Sequence, residues 1–191
     1  MKIWIFIFAL LFNWNTGSTP LSGGKPTYNI GEPIDQLNGV VVYYNGSVKN
    51  VLGRNVIDVY NVGLKWQCVE FVKRYYYQYY GHRMPDTYGH AREFFDFQLS
   101  DFSKNERRDL YQFSNPSRYS PEAGDLLVMN GNAANPYGHV AIVSKVWPDQ
   151  VELIHQNPGP SADSRLILEM DISPSGSYYI DHPSVLGWLR K

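Results

Sequence analysis

The sequence predicts an α+β fold in which N-terminal helices pack on an antiparallel β-sheet built from the C-terminal half, and three observations carry that expectation. From Gln67 to Tyr80, apolar and aromatic residues recur at three- and four-residue spacing, as a helix with one buried stripe requires. Beyond Ser120-Pro121, short β-prone runs alternate with Gly, Pro, Asn and Asp. At 191 residues and 43% hydrophobic content there is apolar material for one core, and a second full domain would be cramped. Helix followed by a run of strands is the α+β order.

The N-terminus, MKIWIFIFALLFNWNTGSTP, opens with Lys2, continues with an apolar run from Ile3 to Phe12, and reaches the small residues Gly17 and Ser18. It has the organisation of a signal peptide over residues 1–18, so the protein is expected to be secreted or periplasmic. A bilayer span needs roughly 20 apolar residues. The run falls short of that, so membrane contact is expected only through this segment, with an uncleaved anchor as the alternative. Residues 19–33 are rich in Gly and Pro and form a linker or lead-in, and residues 34–191 form the domain.

Within the domain, Val40 to Tyr44 has strand composition and lies between Asn38-Gly39 and Asn45-Gly46. The helix from Gln67 to Tyr80 is closed by Gly81, which supplies a left-handed cap. A second short helix is expected over Ala91 to Phe97. Strands are expected at Leu126 to Met129, His139 to Trp147, Val151 to Asn157, Arg165 to Asp171, Ser177 to Ile180 and Val185 to Leu189. Seventeen basic and eighteen acidic residues leave a net charge of -1. No overall field draws the molecule to nucleic acid, and no nucleic-acid partner is expected. A monomer is expected.

The chain has one cysteine, Cys68. A lone cysteine forms no internal disulfide, and an exported free thiol invites oxidation unless it has a task. Its place in the first turn of the helix suits a nucleophile, because the unbonded N–H groups there favour a thiolate and can hold an oxyanion. The plainer reading is an inert cysteine filling a small apolar site. A base is needed, and of His82, His90, His139, His155 and His182, His139 stands at a strand mouth after Gly138. The following strand, VELIHQN, offers an orienting group. A three-residue loop, Pro148 to Gln150, would place His139 on the same face as His155 and Asn157, either of which can accept a hydrogen bond from the imidazole. There is no HExxH spacing and no cysteine cluster, so no metal or other cofactor is expected.

KWQCVEF at 65–71, GHVAIV at 138–143, HQN at 155–157 and VLGWL at 185–189 resemble the CHAP superfamily of cysteine, histidine-dependent amidohydrolases and peptidases. Within it the likeness is strongest to glutathionylspermidine amidase domains, and it runs from about Pro33 to the C-terminus. The resemblance implies a papain-like α+β fold, Cys68 as nucleophile and His139 as base. An acidic residue on the next strand, in an EQN-like triplet, is the family's third member. Here His155 stands in that place, and it is preferred as orienter over Asn157. Lys73 and Arg74 fall where the amidase has basic residues, and they are candidates for steering an acidic peptide. Gln67 is a candidate for presenting its amide to the oxyanion, or for capping the helix.

The implied reaction is hydrolysis of an amide through a thioester, with a His139-paired thiolate expected to persist at pH 6. Export points to bacterial cell-wall peptides as substrate, and the likeness points to the polyamine amide glutathionylspermidine. A third reading takes the exchange of the acid for His155 as the mark of an inactive binding module.

Overall fold

Asn38-Gly39 and Asp58-Val59 are the tips of two hairpins. β1 (Pro33–Leu37) pairs with β2 (Val40–Tyr43), and β3 (Arg54–Ile57) pairs with β4 (Tyr60–Leu64), both antiparallel. All four tip residues have positive φ, 50° and 81° in the first turn and 46° and 58° in the second. That backbone matches the right-handed twist of the strands it joins. The structure is a computed structural model describing residues 28–159 and 163–191. The expected signal peptide and the first part of the linker lie outside the described residues.

α1 (Cys68–Tyr80) follows the second hairpin and ends as the glycine requires: Gly81 has φ 64°, its N–H bonds to the Tyr77 carbonyl, and the His82 N–H reaches back to Tyr76. The second helix is shorter than expected, a single 3₁₀ turn at Ala91–Phe94. The rest is sheet: β5 (Ser103–Asn105), β6 (Leu110–Ser114), β7 (Leu126–Met129), β8 (His139–Val146), β9 (Gln150–Ile154), β10 (Arg165–Ile172), β11 (Tyr178–Ile180) and β12 (Val185–Arg190). These eight strands form one sheet in the order β11-β10-β9-β8-β7-β12-β6-β5, with antiparallel neighbours throughout.

The expected α+β fold, with several helices packed on a sheet, is therefore overturned. The fold is mostly β, and α1 is the one α-helix among the described residues. Five strands, β1, β3, β4, β5 and β6, escaped the sequence reading. They are three to five residues long and mix Asn, Asp, Gln, Lys and Arg with the apolar residues. What holds them is pairing across a tight turn, which residue propensity does not record.

The sheet is covered on both faces. On one, Phe71, Val72, Tyr75 and Tyr76 of α1 pack on Leu126, Val128, Val140, Ile142 and Ile154. On the other, Leu127, Ala141, Val143, Leu153, Met170 and Trp188 pack on one another. They can do so because the sheet curls: Ser117, just after β6, exchanges backbone hydrogen bonds of 3.0 and 2.7 Å with Tyr178 of β11. α1 itself is buried at every position from Glu70 to Tyr76, because β4 lies along its other side. Gly63 permits that approach, since a Cβ there would stand 3.2 Å from the backbone of Glu70. The mouth of β8 and the first turn of α1 are thus pressed together by a continuous core.

Candidate active site

Cys68 is the first residue of α1, and the residue as a whole is half-buried. Burial pushes its thiol up, while the backbone N–H groups of Val140, Val69 and Cys68 itself act in the opposite direction. Val140 follows His139, so the sulfur lies against the opening of β8. The Nε2 of His139 is 3.0 Å from Nδ1 of His155, and the two rings meet edge to face at 77°. The Nε2 of His155 is in turn 3.1 Å from the carbonyl oxygen of Asp163.

This chain fixes the tautomers. A carbonyl only accepts, so His155 carries its proton on Nε2 and presents a lone pair at Nδ1. His139 must then donate from Nε2, which leaves its own Nδ1 unprotonated and basic. Burial, with His155 adding to it, drives the His139 pKa down to about 3, and burial lowers that of His155 as well. Near pH 7 both imidazoles are neutral at rest. Burial opposes charge on the sulfur and on the ring alike, and so works against the thiolate expected at pH 6.

His139 and His155 share a face for a reason the sequence reading missed. The connection from β8 to β9 is a two-residue turn at Pro148-Asp149, closed by the Trp147 N–H on the Gln150 carbonyl at 2.8 Å. The expected three-residue loop is absent. A two-residue turn alone would set His139 opposite the face of His155, but the register shifts between Val143 and Lys145. The extra residue, Ser144, restores the parity. Its hydroxyl bonds to the Glu152 carbonyl and carboxylate at 3.0 and 2.6 Å.

The remaining members of the triplet face α1. Asn157 makes its hydrogen bonds elsewhere than to His139: its Nδ2 donates to Gln67 Oε1 at 2.6 Å and to the Val48 carbonyl at 3.4 Å. Gln67 uses both amide hydrogens on the carbonyls of Val48 and Asn50, at 3.2 and 2.7 Å. It therefore neither offers its amide to an oxyanion nor caps the helix, where no side-chain bond is made. Gln156 holds the Gln67 carbonyl at 3.0 Å and Glu70 at 2.8 Å, and accepts the Tyr43 N–H at 2.8 Å. Gln67 and the 155–157 triplet are thereby joined side chain to side chain.

Lys73 and Arg74 are corrected too. Lys73 is fully buried, with its ammonium on the carbonyls of Asn61 and Thr87 at 2.5 and 3.0 Å, and burial lowers its pKa to about 8. Arg74 is paired with Glu70 at 2.6 Å and lies over the ring of Tyr43. Both are held by interior partners, Lys73 under the β3–β4 hairpin and Arg74 against Tyr43 of β2 and Gln156, where a lone amphipathic helix would leave them in water. Glu70 and Gln156, which bind the two halves of the site, were not singled out from sequence. The i,i+4 order Glu70 then Arg74 was the available signal. Among the described residues no three His, Cys, Asp or Glu side chains gather as a metal site.

Comparison with known proteins adds the following. A family model described as the CHAP domain matches residues 59–157, a span holding Cys68, His139, His155 and Asn157. The bifunctional glutathionylspermidine synthetase/amidase of Escherichia coli (strain K12) is 33% identical over 147 residues, covering 71% of this chain and 23% of that protein. The trypanothione synthetase of Crithidia fasciculata is 28% identical over 104 residues, covering 54% of this chain and 16% of that protein. The chain thus spans less than a quarter of the length of these curated relatives. A crystal structure of Ly7917 with the hydrolyzing product of MDP is 26% identical, covers 39% of this chain and 29% of that one, and superposes with a TM-score of 0.28.

Proposed function

The chain belongs to the CHAP domain family, and from that premise we propose that it hydrolyses an amide bond with Cys68 as nucleophile and His139 as general base and acid. The observation that carries this reading is the seating of the Cys68 sulfur against the N–H of Val140, the residue that follows His139, whose Nε2 is held by His155. As the sulfur attacks the substrate carbonyl, its proton passes to Nδ1 of His139. Thiolate and imidazolium arise together, so the site's net charge is unchanged and each offsets the burial cost of the other. The first-turn N–H groups of α1 face the developing oxyanion. His139 then gives the proton to the leaving nitrogen, the C–N bond breaks, and a thioester remains. Water, deprotonated by His139, attacks the thioester; the acid departs and the thiol is restored.

His155 replaces the charge of a carboxylate with a neutral acceptor whose own proton is tied to Asp163. It orients His139 and can share the positive charge that forms on it. Asn157 and Gln156 hold the end of β9 to the start of α1.

As substrate we assign a bacterial cell-wall peptide met outside the cytoplasm, after removal of a signal peptide ending near Ser18. The leader composition supports that assignment. A polyamine amide such as glutathionylspermidine is the second reading, supported by the 33% identical synthetase/amidase. Purified protein and Cys68→Ala are to be incubated with peptidoglycan and, separately, with glutathionylspermidine, and new amines quantified. We expect release from peptidoglycan by the native protein alone. Release only from glutathionylspermidine would select the second reading, and release from neither would favour a binding module.

A further inference from the structure

A cleft of about 610 Å³ is lined in part by Arg92, Phe97 and Asn130, and two of these adjoin the neighbours of His139. It abuts the base through backbone. Gly138, at φ 78°, is seated so closely that a Cβ there would stand 2.9 Å from the Cβ of Arg92 and 3.0 Å from its nitrogen. The Arg92 N–H bonds to the Tyr137 carbonyl at 3.0 Å, and Met129, just before Asn130, pairs with His139 across the β7–β8 ladder.

The charges lining this cleft are unequal in what they have left to offer. Arg107 is held by two bonds to Asp86, at 3.1 and 2.8 Å. Glu93 accepts the His90 N–H at 2.8 Å, and Asp96 accepts the Gln98 N–H at 2.9 Å. Asn130 accepts the Gly131 N–H through its oxygen, leaving its amide N–H groups without a partner among the described residues. The exposed guanidinium of Arg92 likewise has no hydrogen-bond or ion-pair partner among the described residues. A planar fork of donors, with a second amide donor lining the same cleft, matches a carboxylate.

We propose that Arg92 is a specificity-determining residue that binds a carboxylate carried by the leaving amine of the substrate. This rests on the amide-hydrolase reading above. His139 hands its proton to the leaving nitrogen, so the leaving amine lies on the His139 side of the scissile bond, the side on which Gly138 and Met129 join His139 to the lining of the cleft. Arg92 then favours a peptide-type amine ending in a carboxylate and disfavours a polyamine, whose free end is cationic. Phe97, 71% exposed and lining the same cleft, offers apolar contact to the carbons between the two ends.

The probes are three amides of one acyl group, γ-glutamyl-cysteinyl-glycine, with leaving amines alike in length: 4-aminobutanoate, butylamine and 1,4-diaminobutane. Their free ends are negative, neutral and positive. We expect kcat/KM to fall in that order, by about 10-fold or more from first to last, as a charge-assisted hydrogen bond implies. Arg92→Glu should invert the order, and Arg92→Lys should keep it. Equal rates, or an order untouched by Arg92→Glu, would overturn the proposal while leaving amide hydrolysis standing. Independently of turnover, the Arg92 side-chain N–H resonance of Cys68→Ala should shift on titration with free 4-aminobutanoate and stay in place with butylamine. No shift with 4-aminobutanoate, or an equal one with 1,4-diaminobutane, counts against the proposal even if no probe is hydrolysed.

Discussion

In the proposed reaction the His139 imidazole moves every proton, and its environment sets the expected pH behaviour. Its pKa is driven by burial to about 3, so as pH falls the base stays unprotonated far below the ordinary imidazole range. We expect the acid limb of kcat/KM to lie well below pH 6.5, measured between pH 4 and 8. A limb centred at 6.5 would place His139 in water-like surroundings and contradict the site described. His155 is the second lever. His155→Gln keeps an oxygen to accept from His139 and an N–H for the Asp163 carbonyl, and should retain most activity. His155→Leu keeps neither and should lose about 10²–10⁴-fold in kcat, the range typical of positioned acid–base groups. His155→Glu introduces a negative charge beside His139 and should move the acid limb upward.

At the scale of elements, the bulge in β8 decides whether base and orienter meet. Deleting Ser144 leaves a regular two-residue hairpin and turns His139 to the opposite face. We expect a protein with β-rich circular dichroism and without turnover. Retained activity would show that the register shift is dispensable. The start of α1 is the other critical joint. Glu70 is fully buried and receives Arg74, Gln156 and Asn55, the last at 2.8 Å. Glu70→Leu strands the Arg74 charge in the interior, which costs about 3–5 kcal/mol. Urea unfolding should report that loss. The Gln67–Asn157 bond tests differently. A double-mutant cycle on kcat should give a coupling of about 1 kcal/mol, the usual worth of such a bond.

For the whole molecule, the two buried histidines link stability to pH. Both have folded pKa values below their unfolded value, so the unfolded chain binds more protons as pH drops through 6.5. Stability is complete above that pH and falls below it. Ordinary carboxylates are still ionised in both states between pH 6.5 and 5, so loss in that window belongs to the histidines. The urea midpoint should fall from pH 7 to pH 5, and His155→Gln should fall less steeply. A midpoint constant over that range would rule out neutral burial of the pair.

The chain's own order of residues determined the helix from Cys68 to Tyr80, seven of the strands, and the four short motifs that mark the family, two of which hold Cys68 and His139. Those features are local: a repeat of side chains along one element, or a residue type at a cap, is written directly in the order of amino acids. The tertiary structure alone decided the mostly-β architecture, because short polar strands exist only through their partners. It alone decided that Lys73, Arg74 and Gln67 serve the interior, since what covers the second side of a helix is a hairpin brought there by folding. The meeting of His139 with His155 belongs to both. The residues are legible in sequence, but one inserted serine in a ladder sets which side of the sheet they face, and side-chain parity in a strand reverses with a single residue.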